Sequence, residues 1–244
     1  MSEKAQAGLG FREIAATLRN EILDRRYPTA SVLPPEPELA LKYGASRSLV
    51  NRAMNVLAAE GLVRPRQGRG TIVTWLPPIT HSATAGHDPA DEILALGLEP
   101  RYEVVVERAE PPADIADVLG VEPGQAGCLA RRSRLLAGGI PVRLTESWFP
   151  LTIAENTLLE DPAALNPAGT RAVLSGLGFE QTHLAERITP SRLPTEPESR
   201  ALEISPERTV TDIGRTGRTA DRRAVEITTI ITPAHYLVIE HTLA

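Results

Sequence analysis

One cysteine, Cys128, in a chain of 244 residues excludes an internal disulfide and a multi-cysteine zinc site within one chain. It reads as a small buried side chain on a strand. No run approaches the roughly 18 apolar residues of a membrane-spanning helix, and the opening MSEKAQAGLG lacks the apolar core of a secretory signal. The expectation is a cytoplasmic protein with no membrane partner. His81, His87, His183, His235 and His241 show no helical ligand spacing, so neither a metal nor another cofactor is expected.

What is present suits two domains and a real core, with an apolar fraction of 42% that is ordinary for a soluble globular protein. The net charge of −5 conceals a division: residues 1–75 carry 11 Lys or Arg against 7 Asp or Glu, and residues 76–244 carry 15 against 24. A cationic end on an acidic chain still attracts a polyanion, because such fields decay over about 8–10 Å at working salt.

Phe11, Ile14, Ala15, Leu18 and Ile22 recur at helical spacing with polar residues between them, which predicts an amphipathic helix over 11–26. LPPEPELALKYG predicts a short second helix that begins near Pro35 or Glu36 and stops at Gly44. Ser46 is a good N-cap for a third helix, whose stripe is Leu49, Val50, Ala53, Met54 and Leu57 and which ends at Gly61. Two helices joined by a tight turn, the second opening on a polar and basic turn, form a helix-turn-helix pattern. LVRPRQGRGTIV then reads as strand, glycine-containing turn and strand, a wing whose basic tip runs from Arg66 to Gly70. Such a tip enters a minor groove, where Gly68 permits close backbone approach and Arg66 or Arg69 meets the negative potential.

Residues 11–73 resemble the winged-helix domain of the GntR family of bacterial transcription regulators, on the signatures LPPEPELALKYGASRSLVNRAM and LAAEGLVRPRQGRGTIV. The resemblance implies a domain over 8–75 that binds double-stranded operator DNA. It places Ser46, Arg47, Ser48 and Asn51 at DNA-facing positions of the recognition helix, with Gln67 and Gly68 at the wing tip. Pro37, Leu49 and Asn51 stand where many members have a basic residue, a threonine and an arginine. Arginine favours guanine O6 and N7 while asparagine favours adenine N6 and N7, so the family's base preference does not transfer.

LPPITHSATAGHDPAD has no period and is rich in proline and small residues, so 76–91 reads as a linker or extended arm. Beyond it the chain repeats itself at an offset of 83 residues, from Pro111–Pro150 onto Pro194–Pro233 without a gap. Arg132 pairs with Arg215, Val142 with Val225 and Thr145 with Thr228. Each copy has a strand, a short helix and a strand hairpin, which predicts an α+β domain with an antiparallel sheet and pseudo-twofold symmetry. A closing strand, YLVIEHTL, is expected to complete that sheet.

Residues 92–244, through LGLEP, RRSRLLAGGIPVRLTESWFP and DRRAVEITTIITPAHY, are similar to the UTRA effector domain, which shares the chorismate lyase fold. The whole chain therefore resembles the HutC subfamily of GntR regulators, which implies a homodimer whose operator affinity responds to a small molecule, with repression the common case. Arg132 and Arg134 lie two apart on a strand and so share a face, where paired guanidinium groups suit a carboxylate or phosphate. By resemblance Glu146, Glu226 and Thr170 join them as effector contacts. The structural alternative is a set of cross-strand ion pairs.

Two other functions compete: a chorismate lyase-like enzyme fused to a DNA-binding module, and a dimeric repressor that needs no ligand. An aminotransferase-type fusion fails, because it needs a lysine for pyridoxal phosphate and the chain has Lys4 and Lys42, both in the winged-helix part.

Overall fold

The computed structural model describes residues 9–81, 88–122, 124, 126–164 and 169–240. The chain divides into two units, Met1–Pro77 and Pro78–Ala244. Residue 8, where the first domain is expected to start, and residues 82–87 and 241–244 lie outside the described residues.

The first unit is built on α1 (Phe11–Leu23), α2 (Glu36–Tyr43) and α3 (Arg47–Ala59), followed by a hairpin of β1 (Val63–Arg66) and β2 (Gly70–Val73). The sequence stripes become its core: Ile14, Leu18 and Ile22 pack with Leu39, Val50, Ala53 and Leu57, all fully buried. α1 stops at Leu23 rather than at residue 26, because Arg25 takes a left-handed φ of 59°. Gly44 ends α2 in the same conformation, with φ 59°. The Ser46 hydroxyl then caps α3 by accepting the Leu49 N–H at 3.3 Å.

β1 and β2 pair antiparallel from Val63 opposite Val73 to Arg66 opposite Gly70, and an isolated bridge sets Val32 beside Ile72. Gly70 has φ +82°, and a Cβ there would stand 3.1 Å from Val32 Cγ1. Gly70→Ala is therefore expected to destabilise the wing-bearing unit by about 1 kcal/mol or more, read as a lower urea midpoint at unchanged slope.

The second unit opens with β3 (Ile79–His81) and α4 (Pro89–Ala95), then runs β4 (Pro100–Ala109), α5 (Ala113–Leu119), β5 (Cys128–Ala137) and β6 (Ile140–Pro150). After α6 (Leu151–Ala154) and α7 (Thr170–Gly176) come β7 (His183–Arg192), α8 (Glu196–Leu202), β8 (Val210–Arg218), β9 (Ala224–Pro233) and β10 (Leu237–Ile239). Six strands form one antiparallel sheet in the order β4-β5-β6-β9-β8-β7. Adding 83 to the bounds of β4 and α5 gives those of β7 and α8. The two halves meet at β6 and β9, so the pseudo-twofold runs between them. The helices exchange places across it, since α5 packs on β9 and α8 on β6.

Two expectations are corrected. The closing strand does not join the six-stranded sheet: Leu237–Ile239 pairs in parallel with Ile79–His81 as a separate ribbon. A 3-10 turn over Ala234–Tyr236 carries the chain off β9, whose two sides are already taken by β6 and β8. Part of the supposed linker is accordingly structured. Ile79 and His81 are both buried, and three residues are too few for their alternation to show in the sequence.

Candidate nucleic-acid interface and effector site

α3 exposes Ser46, Arg47, Ser48 and Asn51 on its first turns. The Ser46 cap satisfies one first-turn donor and leaves others directed outward, where the helix dipole favours an anion. Three nearby cations of this unit are engaged elsewhere. Arg19 pairs with Glu60, Lys42 with Glu21 at 2.7 Å, and Arg52 lies 4.1 Å over the Phe11 ring. The Arg47 side chain is exposed and makes no hydrogen bond or ion pair among the described residues. Asn51 differs: its Nδ2 donates to Glu36 Oε1 at 3.0 Å, and its Oδ1 accepts from Asn55 Nδ2 at 3.3 Å. In the wing, Gln67, Gly68 and Arg69 form the exposed turn, with Arg66 half-buried at its base. Gly68 has φ +73° and nothing within 4 Å of the place a Cβ would take, so its backbone is open to close approach.

In the second unit the five expected effector residues fall on opposite faces of the sheet. Register puts Arg132 opposite Glu146 and Arg134 opposite Leu144, all on one face. There the arginines are spent on cross-strand partners. Arg132 Nε donates to Glu146 at 2.6 Å and its Nη1 to Glu107, while Arg134 Nε donates to Glu103 at 2.7 Å and its Nη1 to the Ala201 carbonyl at 3.2 Å. The neighbouring carboxylates raise the pKa of Arg132, although burial opposes them. This ladder floors an open groove of about 510 Å³ beside α8, with Val105, Leu144 and Ile231 among its walls.

Thr170 and Glu226 lie on the other face, and they touch: the Thr170 hydroxyl donates to Glu226 Oε1 at 3.3 Å. Glu226 is 6% exposed. It also accepts from the Thr228 hydroxyl at 3.1 Å and from Gln181 Nε2 at 2.6 Å, and Thr228 meets Ser147 at 2.7 Å. Arg131, Ser133, Thr145, Ser147 and Thr170 line a void of about 10 Å³, room for a single water. Burial lowers the pKa of Arg131, whose Nη1 donates to the Leu159 and Asp161 carbonyls.

Sequence reasoning did not single out Arg131, Ser133, Ser147, Gln181 and Thr228, which lie with Thr170 and Glu226 on this covered face. The signal was in the same strands one residue out of step, for Arg131-Ser133 and Thr145-Ser147 obey the same two-residue rule as Arg132-Arg134. Charge falls on both faces of these strands, with Arg131 buried beside Ser133 and Arg132 half-exposed beside Glu146, so charge alone did not show which face is covered.

The chain matches the family of bacterial regulatory proteins, gntR family, over residues 11–73 and the UTRA domain over residues 95–237. An HTH-type transcriptional regulator of Streptomyces coelicolor is 30% identical over 88% of this chain and 86% of its own length. The histidine utilization repressor of Pseudomonas aeruginosa is 29% identical over 73% of this chain and 70% of its own. PhnF from Mycobacterium smegmatis, a solved structure, shares the fold with a TM-score of 0.60 at 22% identity, covering 95% of this chain and 99% of that one. A capped recognition helix with a glycine-tipped wing, a duplicated antiparallel sheet and these likenesses place the chain in the GntR family of DNA-binding transcription regulators, in the HutC subfamily that carries a UTRA effector domain.

Proposed function

We propose that a homodimer of this chain sets two α3 helices in successive major grooves of a pseudo-palindromic operator, with the wings in flanking minor grooves. Ser46, Arg47, Ser48 and Asn51 make the major-groove and phosphate contacts, and Arg66, Gln67, Gly68 and Arg69 serve the minor groove. The observation that carries this is Arg47, an exposed arginine on the first turn of a capped helix with no hydrogen-bond or ion-pair partner among the described residues. A cation there opposes the helix dipole, so its place is explained by an anion outside the chain.

The effector is assigned to the buried face, where Thr170 and Glu226 with Ser133, Thr145, Ser147 and Thr228 meet it once that face opens beyond its single-water void. A sheet face under cover is normally apolar, and a carboxylate buried among neutral donors is expensive unless it serves recognition. Arg132, Arg134 and Glu146 are then the ion-pair ladder of the opposite face. The domain acts by binding and not by turnover, in keeping with relatives that are named as regulators. Ligand binding lowers operator affinity through a domain arrangement that misfits the half-site spacing, with about 1–3 kcal/mol of coupling.

Selection of bound duplexes from a random library tests the first part, followed by titration of the winner at two salt concentrations. A two-fold symmetric site with a steep salt slope is expected. An asymmetric winner or none overturns the dimeric reading. The selected duplex then serves as a probe: any metabolite that releases the wild-type protein should fail to release Glu226→Gln, and an unchanged response would remove Glu226 from the effector site.

A further inference from the structure

On α3, both side-chain polar atoms of Asn51 are already in use. Its Nδ2 donates to Glu36 Oε1, on the first residue of α2, and its Oδ1 accepts from Asn55, one turn further along α3. All three side chains are at the solvent-facing surface of the unit, with Asn51 and Asn55 exposed and Glu36 half-buried. A carboxamide that met water alone would turn over freely between two orientations of similar energy. Here the two differ sharply. Reversing the amide would set Asn51 Oδ1 against the Glu36 carboxylate, acceptor on acceptor, and would oblige Asn55 either to turn its own amide as well or to meet Asn51 Nδ2 donor on donor.

We propose that Glu36 and Asn55 are specificity-determining positioning residues: they lock the Asn51 amide in one orientation, so that it reads adenine in one strand sense. Each partner takes half of what the amide offers. One Nδ2 hydrogen and one Oδ1 lone pair remain, the pair needed by the adenine major-groove edge, where N7 accepts and N6 donates. Guanine offers acceptors at both N7 and O6, so O6 would face Oδ1 and repel it. The locked amide thus discriminates without first paying to choose its orientation. Glu36 does not touch the base; its carboxylate would itself disfavour nearby phosphate, so its presence on this surface is accounted for by the residue it holds. The inference rests on α3 lying in the major groove with Asn51 facing a base.

The test is base preference, position by position, in duplex selection with the full-length protein and with Asn51→Ala, Glu36→Ala, Glu36→Gln and Asn55→Ala, each first checked for an unchanged thermal unfolding midpoint. Wild type should select adenine at one position of each half-site. Glu36→Ala should cut the preference for adenine over guanine there by about tenfold while leaving the other positions as they were, Glu36→Gln should restore most of it by keeping an acceptor, and Asn55→Ala should weaken it less. A loss of stability in Glu36→Ala would pass the decision to Glu36→Gln and Asn55→Ala, and normal preference in Asn55→Ala would then count against the lock. If Asn51→Ala changes the one position and neither Glu36→Ala nor Asn55→Ala does, the positioning inference is wrong. If Asn51→Ala changes no position, the placement of Asn51 against a base is what fails.

Discussion

Replacing Arg47 with alanine is expected to lower operator affinity by about a hundredfold or more and to leave the unfolding temperature where it was. The size follows from symmetry. One arginine contact to a base edge or phosphate is worth about 1–3 kcal/mol, and a dimer loses one in each half-site. The unchanged stability follows from the surroundings: Arg47 is exposed, buries nothing and has no partner among the described residues. At the first position of α3 its charge faces the positive end of the helix dipole, so removal is neutral or stabilising by a few tenths of a kcal/mol. Arg52→Ala is the control, since that guanidinium stacks on Phe11 and its loss should act on packing instead. Fluorescence titration of the selected duplex beside a thermal melt reads both quantities. Undiminished affinity in Arg47→Ala would remove it from the interface and leave the wing as the source of charge contacts.

The first unit was legible in the sequence almost to the residue, and for local reasons. Its signals are short in range: a serine cap at 46, glycine stops at 44 and 61, a stripe at 3.6-residue spacing and a glycine turn between two short strands. The fold of the second unit was legible through duplication, because two copies must form the same elements and a twofold then orders the strands. Its site was not. Arg132 and Arg134 announce themselves by charge, yet the alternation that puts them on one face puts Thr170's partner Glu226 on the other. Which face is sealed depends on how α5 and α8 pack on the Arg132 side and α7 on the other, and that is a property of the assembled sheet. The β3-β10 ribbon was hidden for a similar reason, since two three-residue segments far apart in sequence carry no period of their own.

That ribbon is fastened to the sheet by a buried ionic cluster, and acid should unfasten it. His81 on β3 meets both oxygens of Glu186 on β7, at 3.1 and 3.3 Å, and Arg215 on β8 reaches the same carboxylate at 2.8 Å. The Glu186 side chain is 10% exposed. Chiefly through the hydrogen bond from His81, with Arg215 adding its charge and burial opposing both, the carboxyl is held down at about 2 from an ordinary 4.5. Because the folded value is the depressed one, the stabilisation is fully present above about pH 4.5 and is lost as pH falls toward 2, a loss of roughly 3 kcal/mol. Urea titrations between pH 7 and pH 2 should show that acid limb in the wild type and a flatter one in Glu186→Gln, which has no charge to lose there. Glu186→Ala should cost more at neutral pH, about 1–3 kcal/mol, since it leaves the half-buried Arg215 guanidinium and the buried His81 ring without their carboxylate partner. An acid limb as steep in Glu186→Gln as in the wild type would assign the pH dependence to other carboxylates and reduce the His81–Glu186–Arg215 cluster to a packing contact.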